Sequence, residues 1–290
     1  MYDNLLKIDT KLINFIGFCL HFMNDFGKYK PSFSINIILI LVKIGLGRGK
    51  LKHLFSRIIK QYNNLKYLDL IYSGLNIRLS PFGNTIESKI LLSSKIREEI
   101  ELNEVKKAVR NKGVFIDVGA NVGYYSLFAA KFGAKKIISF EPNPVLCERF
   151  KKNIEINKFE EKINLFECAL GDKKGNARLN LDKNDIGSSS LLKNSLSTNF
   201  INVEVFSLIE ILETEDIKKI DALKIDVEGF EDKIMKHFFE KSNQELYPKI
   251  VIIEVSGKRQ WEWDVITWMF KHGYKLINRT KSNLILNLIK

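Results

Sequence analysis

The stretch Val114-Phe115-Ile116-Asp117-Val118-Gly119-Ala120-Asn121-Val122-Gly123-Tyr124-Tyr125-Ser126 decides the fold. A short apolar run ends in an acid, two glycines follow four residues apart, and a helical pattern starts at once. Val122, Tyr125, Ala129 and Phe132 recur at i, i+3, i+7 and i+10, the stripe of an amphipathic helix. Strand, tight glycine turn and helix make the mononucleotide-binding opening of a doubly wound α/β sheet. Gly119 can take backbone angles closed to other residues, and Gly123 allows close approach of helix or ligand. The N–H groups at the helix start are then expected to face a ligand's polar groups. Many strand-to-helix turns carry glycine for packing alone, so the partners of this turn carry the argument.

Downstream the chain alternates strand and helix, the rhythm of a parallel sheet. Strands are expected at 114–118, 136–140, 163–168, 222–226 and 250–255, with a closing pair at 274–278 and 283–288. Asn143-Pro144 caps a helix that turns Leu146, Phe150 and Ile154 inward. Residues 173–206 break the rhythm and read as an inserted hairpin beside the site, with a flexible Gly187-Ser188-Ser189-Ser190. Further helices are expected at 207–213, after Val227-Glu228-Gly229, and through Trp261, Val265, Trp268 and Met269. Upstream, 67–79 is a hairpin around Ser73-Gly74 and 84–110 one amphipathic helix. Three segments follow: a basic, mainly helical extension over 1–66, the hairpin and helix of 67–110, and a Rossmann-like domain over 111–290.

The 290 residues are 45% hydrophobic and 28% charged, enough for a sizeable core. Cys19, Cys147 and Cys168 are far apart and odd in number, with no clustered histidines, so neither a disulfide framework nor a zinc site is indicated. A reducing cytoplasm is the natural setting. Of the net charge of +12, residues 1–66 hold +8. A basic terminus suits an anionic membrane, an acidic partner or nucleic acid, and equally a solvated helical face. No arginine–aromatic pattern of a nucleic-acid module is present, so no nucleic-acid partner is expected. Residues 1–10 do not read as a signal peptide. The apolar stretches 12–23 and 35–46 fall short of the roughly 18 residues that span a bilayer. A helix lying in the membrane interface, with Phe15, Phe18 and Phe22 on one side and lysines on the other, is one reading. Packing on the main domain or on a second subunit is the other.

Glu141 stands 22 positions after Gly119 at the end of the second core strand, where a carboxylate accepts from both ribose hydroxyls. Asp172, after the third strand, suits an exocyclic amine such as adenine's. Asp117, just before the turn, would favour an ammonium and repel a phosphate. With G-x-x-x-G in place of G-x-G-x-x-G, this favours S-adenosylmethionine over a dinucleotide, and methyl transfer over a nicotinamide oxidoreductase.

These motifs, together with Phe140-Glu141-Pro142, Ala169-Leu170-Gly171-Asp172, Gly187-Ser188-Ser189-Ser190-Leu191 and Leu223-Lys224-Ile225-Asp226-Val227-Glu228-Gly229-Phe230-Glu231, resemble the FkbM family of S-adenosylmethionine-dependent methyltransferases over about residues 67–256. The resemblance implies the class I methyltransferase fold, a seven-stranded, mostly parallel Rossmann-like sheet, here with an N-terminal helical extension. It implies transfer to a hydroxyl oxygen, commonly of a sugar or polyketide-like product. It also implies cofactor contacts from Asp117, Gly119, Ala120, Asn121, Gly123, Tyr124 and Ser126, from Glu141 and Pro142, and from Ala169, Leu170 and Asp172.

Lys224, Asp226 and Glu228 fall at the carboxyl end of the sheet, where ligands of open α/β folds bind. Asp226 and Glu228, two apart on an extended segment, share one side. Glu228 is expected to act as general base and Asp226 to bind substrate or cofactor. The competing role for Glu228 is a favourable charge at a helix N-terminus. His237 lies two to three turns beyond, a structural or surface position. Glu254 is a third carboxylate at this edge, and Trp261 and Trp263 are candidates to stack on a sugar, Trp261 being better suited to helix core. Asp226, Glu228 and Glu254 offer hard oxygens of the kind Mg²⁺ or Ca²⁺ takes, although no metal is expected. The acceptor is read as a small molecule or glycan, with peripheral membrane contact through the basic N-terminal helices. A nicotinamide oxidoreductase and a non-catalytic nucleoside-binding protein are the alternatives, and the oligomeric state is open.

Overall fold

The computed structural model describes residues 25–47, 49–62, 66–81, 83–93, 95–182, 185–191 and 199–289. The apolar stretch 12–23, with Phe15, Phe18 and Phe22, lies outside the described residues. Helix α1 (Phe33–Leu41) runs through a π-helical turn (Val42–Leu46) to α2 (Gly49–Tyr62). The hairpin β1 (Leu68–Tyr72) and β2 (Leu75–Leu79) follows, turning at Ser73-Gly74 as expected. Next come α3 (Thr85–Leu91) and α4 (Glu99–Val109). The expected single helix over 84–110 is thus broken. The Ser93 hydroxyl donates to the Lys95 carbonyl at 2.7 Å and accepts from its N–H, giving the backbone an alternative to the helical ladder.

The remaining elements build the main sheet. In chain order they are β3 (Val114–Val118), α5 (Tyr124–Lys131), β4 (Lys136–Phe140), α6 (Pro144–Asn157) and β5 (Ile163–Phe166). A three-stranded excursion, β6 (Ala169–Gly171), β7 (Gly175–Asn180) and β8 (Phe200–Ser207), is followed by α7 (Leu208–Thr214), β9 (Ala222–Ile225) and α8 (Glu231–Lys241). The chain closes with β10 (Ile250–Glu254), α9 (Val265–Lys271), β11 (Tyr274–Arg279) and β12 (Asn283–Leu288). The seven strands lie in the order β11-β12-β10-β9-β3-β4-β5, and β12 alone runs antiparallel to its neighbours.

Local chemistry sets several boundaries. Asn143 accepts from the N–H of Val145 with Pro144 in the first turn of α6, and Ser207 and Glu210 form a reciprocal capping box on α7. Asp264 caps α9, so Trp261 falls outside the helix it was expected to join. The expected strand 163–168 stops at Phe166. Ala169–Gly171 pairs instead with β8, in parallel, in the small sheet.

Strand alternation sends Phe115 and Ile137 to one face and Ile116, Val118, Ile138 and Phe140 to the other, each face meeting its own hydrophobic layer. The first layer also takes in Ile38 and Val42, Phe55 and Ile59 from α2, and Leu68, Leu75 and Val105, so all three sequence segments contribute to it. Buried Arg78 ties Asp25 to the hairpin: it donates twice to the Asp69 carboxylate (2.7 and 2.9 Å) and to both the carboxylate and the carbonyl of Asp25 (each 3.0 Å).

Candidate functional site

The site sits at the carboxyl ends of β3, β4, β9 and β10. The turn after β3 needs left-handed backbone at Gly119 (φ +79°), Asn121 (+56°) and Gly123 (+83°). At Gly119 the requirement is also steric, since a Cβ there would lie 1.9 Å from the Asp226 carbonyl oxygen. A Cβ on Gly123 would run into the Phe150 ring at 2.0 Å, so that glycine serves helix packing, and it lines neither of the two cavities at this sheet edge.

The N–H groups of residues 119–123, ahead of the first turn of α5, are all engaged within the protein. Those of Gly119 and Ala120 donate to the Phe140 carbonyl, Asn121 to Glu141 Oε2 at 2.8 Å, Val122 to Asn121 Oδ1 and Gly123 to the Ala120 carbonyl. A turn whose donors are all engaged offers no nest for a phosphate.

Two cavities meet at Gly119, Asn121, Gly187, Asp226 and Glu228. The first is a partly open cleft with about 560 Å³ of empty space, solvent at its mouth included. Its walls are apolar (Phe140, Cys168, Leu170, Ile234), and Pro142 and Ala169 also line it. Glu141, Asp226 and Glu228 are its charged residues, and no Lys or Arg lines it among the described residues. Glu141 is 5% exposed; its oxygens accept from the N–H groups of Asn121 and Asn143, and each keeps a lone pair. Burial, only partly opposed by those two N–H groups, pushes its pKa up to about 7.

The second cavity, of about 900 Å³, is polar. Ala120, Tyr124, Tyr125 and Lys224 line it together with the carboxylates of Glu98, Asp185, Asp226, Glu228 and Glu254. Of its cations, Arg97 pairs with Glu98 and Lys224 with Asp226, each at 3.1 Å. Burial works against the Lys224 charge, but Asp226 and Asp117 more than offset it, and the pKa lies above the ordinary lysine value. The ammonium stands 5.1 Å from the Tyr125 ring centroid.

Glu228 stands in left-handed backbone (φ +56°) where the two cavities join. Burial first, then the neighbouring charges of Asp226, Glu254 and Glu231, push its pKa up to about 7. The bend that presents it is held by Glu231, which the sequence analysis left without a role. Buried Glu231 accepts from the N–H groups of Val227 (2.8 Å) and Gly229 (3.2 Å) and from the indole of Trp261 (2.9 Å). Trp261 is thus a buttress, not a sugar platform. Trp263 faces a separate cavity on the far side of α8. Among the described residues, the carboxylates close enough to share a cation are Asp226, Glu231 and Glu254, with Glu231 in the place expected of Glu228.

Besides Gly123, three expected cofactor contacts line neither cavity. Asp117 alternates onto the α5 face of the sheet, level with Lys224 on β9 and Ser139 on β4. It is 1% exposed and lines neither cavity; Oδ2 accepts from Ser126 at 2.5 Å and Oδ1 has no hydrogen-bond partner. Burial raises its pKa, with Lys224 opposing. Ser126 is fully buried between Asp117 and Ser139 and is likewise internal. Asp172 follows β6 out of the site; it is exposed and lines the separate cavity with Asp232 and His237.

The outer wall of the chamber carries no local signal in the sequence. The Asn84 amide donates to Asn121 Oδ1 at 2.7 Å while its own oxygen caps α3, and Asp185 accepts from the Thr85 N–H at 3.1 Å. Asn84 after Gly83 is a helix-start signal, but nothing local ties it to Asn121. Replacing Asn84 with alanine is expected to lower stability by about 0.5–2 kcal/mol through the lost cap and to weaken ligand binding through Asn121. Thermal unfolding and a ligand titration of one variant check both.

Fold and site together define a Rossmann-like α/β domain in which a pocket without Lys or Arg among the described residues opens onto a carboxylate-rich chamber. Residues 117–276, more than half of the chain, match the Methyltransferase FkbM domain, and the chain belongs to that methyltransferase family. It is 28% identical over 167 residues to methyltransferase sdnD of Sordaria araneosa, a match covering 47% of this chain and 64% of that one. Methyltransferase 1 of Beauveria bassiana is 26% identical over 141 residues, covering 42% and 56%. The chain thus spans less than two thirds of either relative. Among solved structures, M. capricolum TrmK in complex with S-adenosyl-homocysteine aligns with a TM-score of 0.37 at 18% identity, over 66% of this chain and 68% of that one. An rRNA methylase from Streptococcus thermophilus aligns at 0.41 and 10% identity, over 68% and 98%.

The cofactor of this methyltransferase domain is S-adenosylmethionine, and the residues present fit it. A sulfonium nucleoside carries positive charge and no phosphate; the first cavity supplies three carboxylates, no cation and no free N–H nest. A nicotinamide dinucleotide would bring a diphosphate into that same lining, so the oxidoreductase alternative is set aside.

Proposed function

We propose that this protein methylates a hydroxyl group of a sugar, glycan or related natural product, with Glu228 as general base. The observation that carries this reading is the position of Glu228, at the junction of the two cavities, with its pKa raised to about 7. An ordinary glutamate is a poor base for a hydroxyl, and raising its pKa towards the working pH improves it.

Glu141 and the apolar wall around Leu170 would hold the nucleoside, the carboxylate accepting from the ribose hydroxyls. S-adenosylmethionine supplies a methyl group on a positively charged sulfur that leaves as a neutral thioether. Glu228 takes the acceptor's hydroxyl proton as the oxygen bonds to the methyl carbon, so charge is conserved within the pocket. Asp226, fixed by Lys224, and Glu254 accept from neighbouring hydroxyls and orient the acceptor, the larger part of catalysis for an in-line displacement. Tyr124 and Tyr125, in place of the tryptophans, are the aromatic residues that line the chamber. A chamber with five carboxylates and two of its cations already paired favours a neutral polyol over an anionic acceptor. The proposed setting is the cytoplasm, where the buried thiols of Cys147 and Cys168 stay reduced.

Transfer of labelled methyl from S-adenosylmethionine to a panel of neutral glycosides, sugar phosphates, amines and RNA tests this. Label on an oxygen of a neutral glycoside is expected. Turnover confined to amines or RNA would overturn the O-methylation reading.

A further inference from the structure

Helix α1 and its π-helical continuation carry two apolar stripes. Ile35, Ile38 and Val42 are buried, the last two within the main core. Phe33, Ile37, Ile40 and Ile44 recur at i, i+4, i+7 and i+11 and face outward, 82%, 44%, 58% and 68% exposed. A water-facing stripe is normally polar, and a helix apolar all round is normally covered. Leu51 and Leu54 of α2 are also exposed, at 41% and 47%.

The charge around this stripe is one-sided. Residues 26–66 contain nine Lys and Arg and no Asp or Glu. Lys43 in the π-helical turn and Arg57 in α2 are exposed. Among the described residues, no helix is long and apolar enough to cross a membrane.

We propose that α1, its continuation and α2 form a docking face for an anionic lipid bilayer. The stripe enters the acyl boundary and the basic residues meet the headgroups, with the helices lying in the plane of the interface. A second copy of the chain fits less well, because a two-fold contact would bring together two segments rich in Lys and Arg and free of Asp and Glu. Nucleic acid would satisfy the basic groups but leave the apolar stripe in water. This inference does not depend on the identity of the methyl acceptor.

The test is cosedimentation of the full chain with vesicles of phosphatidylcholine alone and of phosphatidylcholine mixed with phosphatidylserine. The wild type is expected to pellet with the anionic vesicles, and to do so less as salt is raised. The combined substitutions Ile37→Ser, Ile40→Ser and Ile44→Ser should weaken that binding at least about tenfold, as should Lys43→Glu with Arg57→Glu. Both variants should bind S-adenosylhomocysteine like wild type, which shows them folded. Wild type that ignores charged vesicles, or stripe variants that bind them undiminished, would overturn the proposal. So would a wild-type dimer in light scattering that the serine variant dissolves, which would assign the stripe to self-association.

Discussion

Replacing Glu228 with glutamine is expected to lower kcat by about a hundred- to ten-thousand-fold while leaving the affinity for S-adenosylhomocysteine nearly unchanged. Glutamine keeps the size and hydrogen-bonding reach of the side chain and removes only its ability to take a proton. The pH profile separates this from a structural effect. The Glu228 carboxyl, held up at about 7 by burial and by Asp226, Glu254 and Glu231, is an ionised base only above that pH. Wild-type kcat should therefore climb as pH rises through about 7 and then level off, and the climb should be missing in the variant. Glu141 titrates in the same range, so the comparison is made at saturating donor, where its part in binding the nucleoside drops out. Unchanged kcat in the variant would remove Glu228 from the chemistry and leave it a helix N-terminal charge.

Gly119→Ala should abolish donor binding and destabilise the protein. Alanine at φ +79° carries strain of about 1–3 kcal/mol. Its Cβ would lie 1.9 Å from a backbone oxygen of Asp226, which cannot swing aside as a side chain could. The β3 turn or the β9 turn must then move, adding an overpacking cost of about 1–3 kcal/mol and pulling apart the two loops that frame the junction of the cavities. Gly175→Ala is the control, since a Cβ there meets nothing within 4 Å and its φ is not left-handed. Calorimetric unfolding and titration with S-adenosylhomocysteine should show Gly175→Ala close to wild type and Gly119→Ala without measurable binding.

The readable parts of the fold were those set by local chemistry. The β3 turn, the Asn143-Pro144 cap and the strands of the main sheet each carry their signal within a few residues, and the structure has them where the periodicity put them. The break after Leu91 was hidden because distant hydroxyls, those of Tyr72 and Tyr124, hold it together with Ser93. The switch of Ala169–Gly171 into the small sheet was hidden because its partner, β8, lies some 35 residues on, and Asp172 left the site with it.

The same distinction runs through the site. Glu141, Asp226 and Glu228 end strands or open turns at the sheet's carboxyl edge, and topology alone brings them together. Asp117 shows how much a strand's face matters: it shares a face with Lys224, yet it is buried beside Ser126 and lines neither cavity. The chamber's outer wall depends on contacts such as Thr85 with Asp185 and Asn84 with Asn121, which no local pattern announces. Glu231 sits in the most legible motif of the chain, yet its role rests on Trp261, thirty residues later.

The most direct measurement is a crystal structure with S-adenosylhomocysteine. It should show the ribose hydroxyls on Glu141, the adenine along Leu170 and the sulfur opening toward Glu228 and Asp226. Nucleoside density outside the pocket between Glu141 and Leu170, or a sulfur turned away from Glu228, would contradict the assignment.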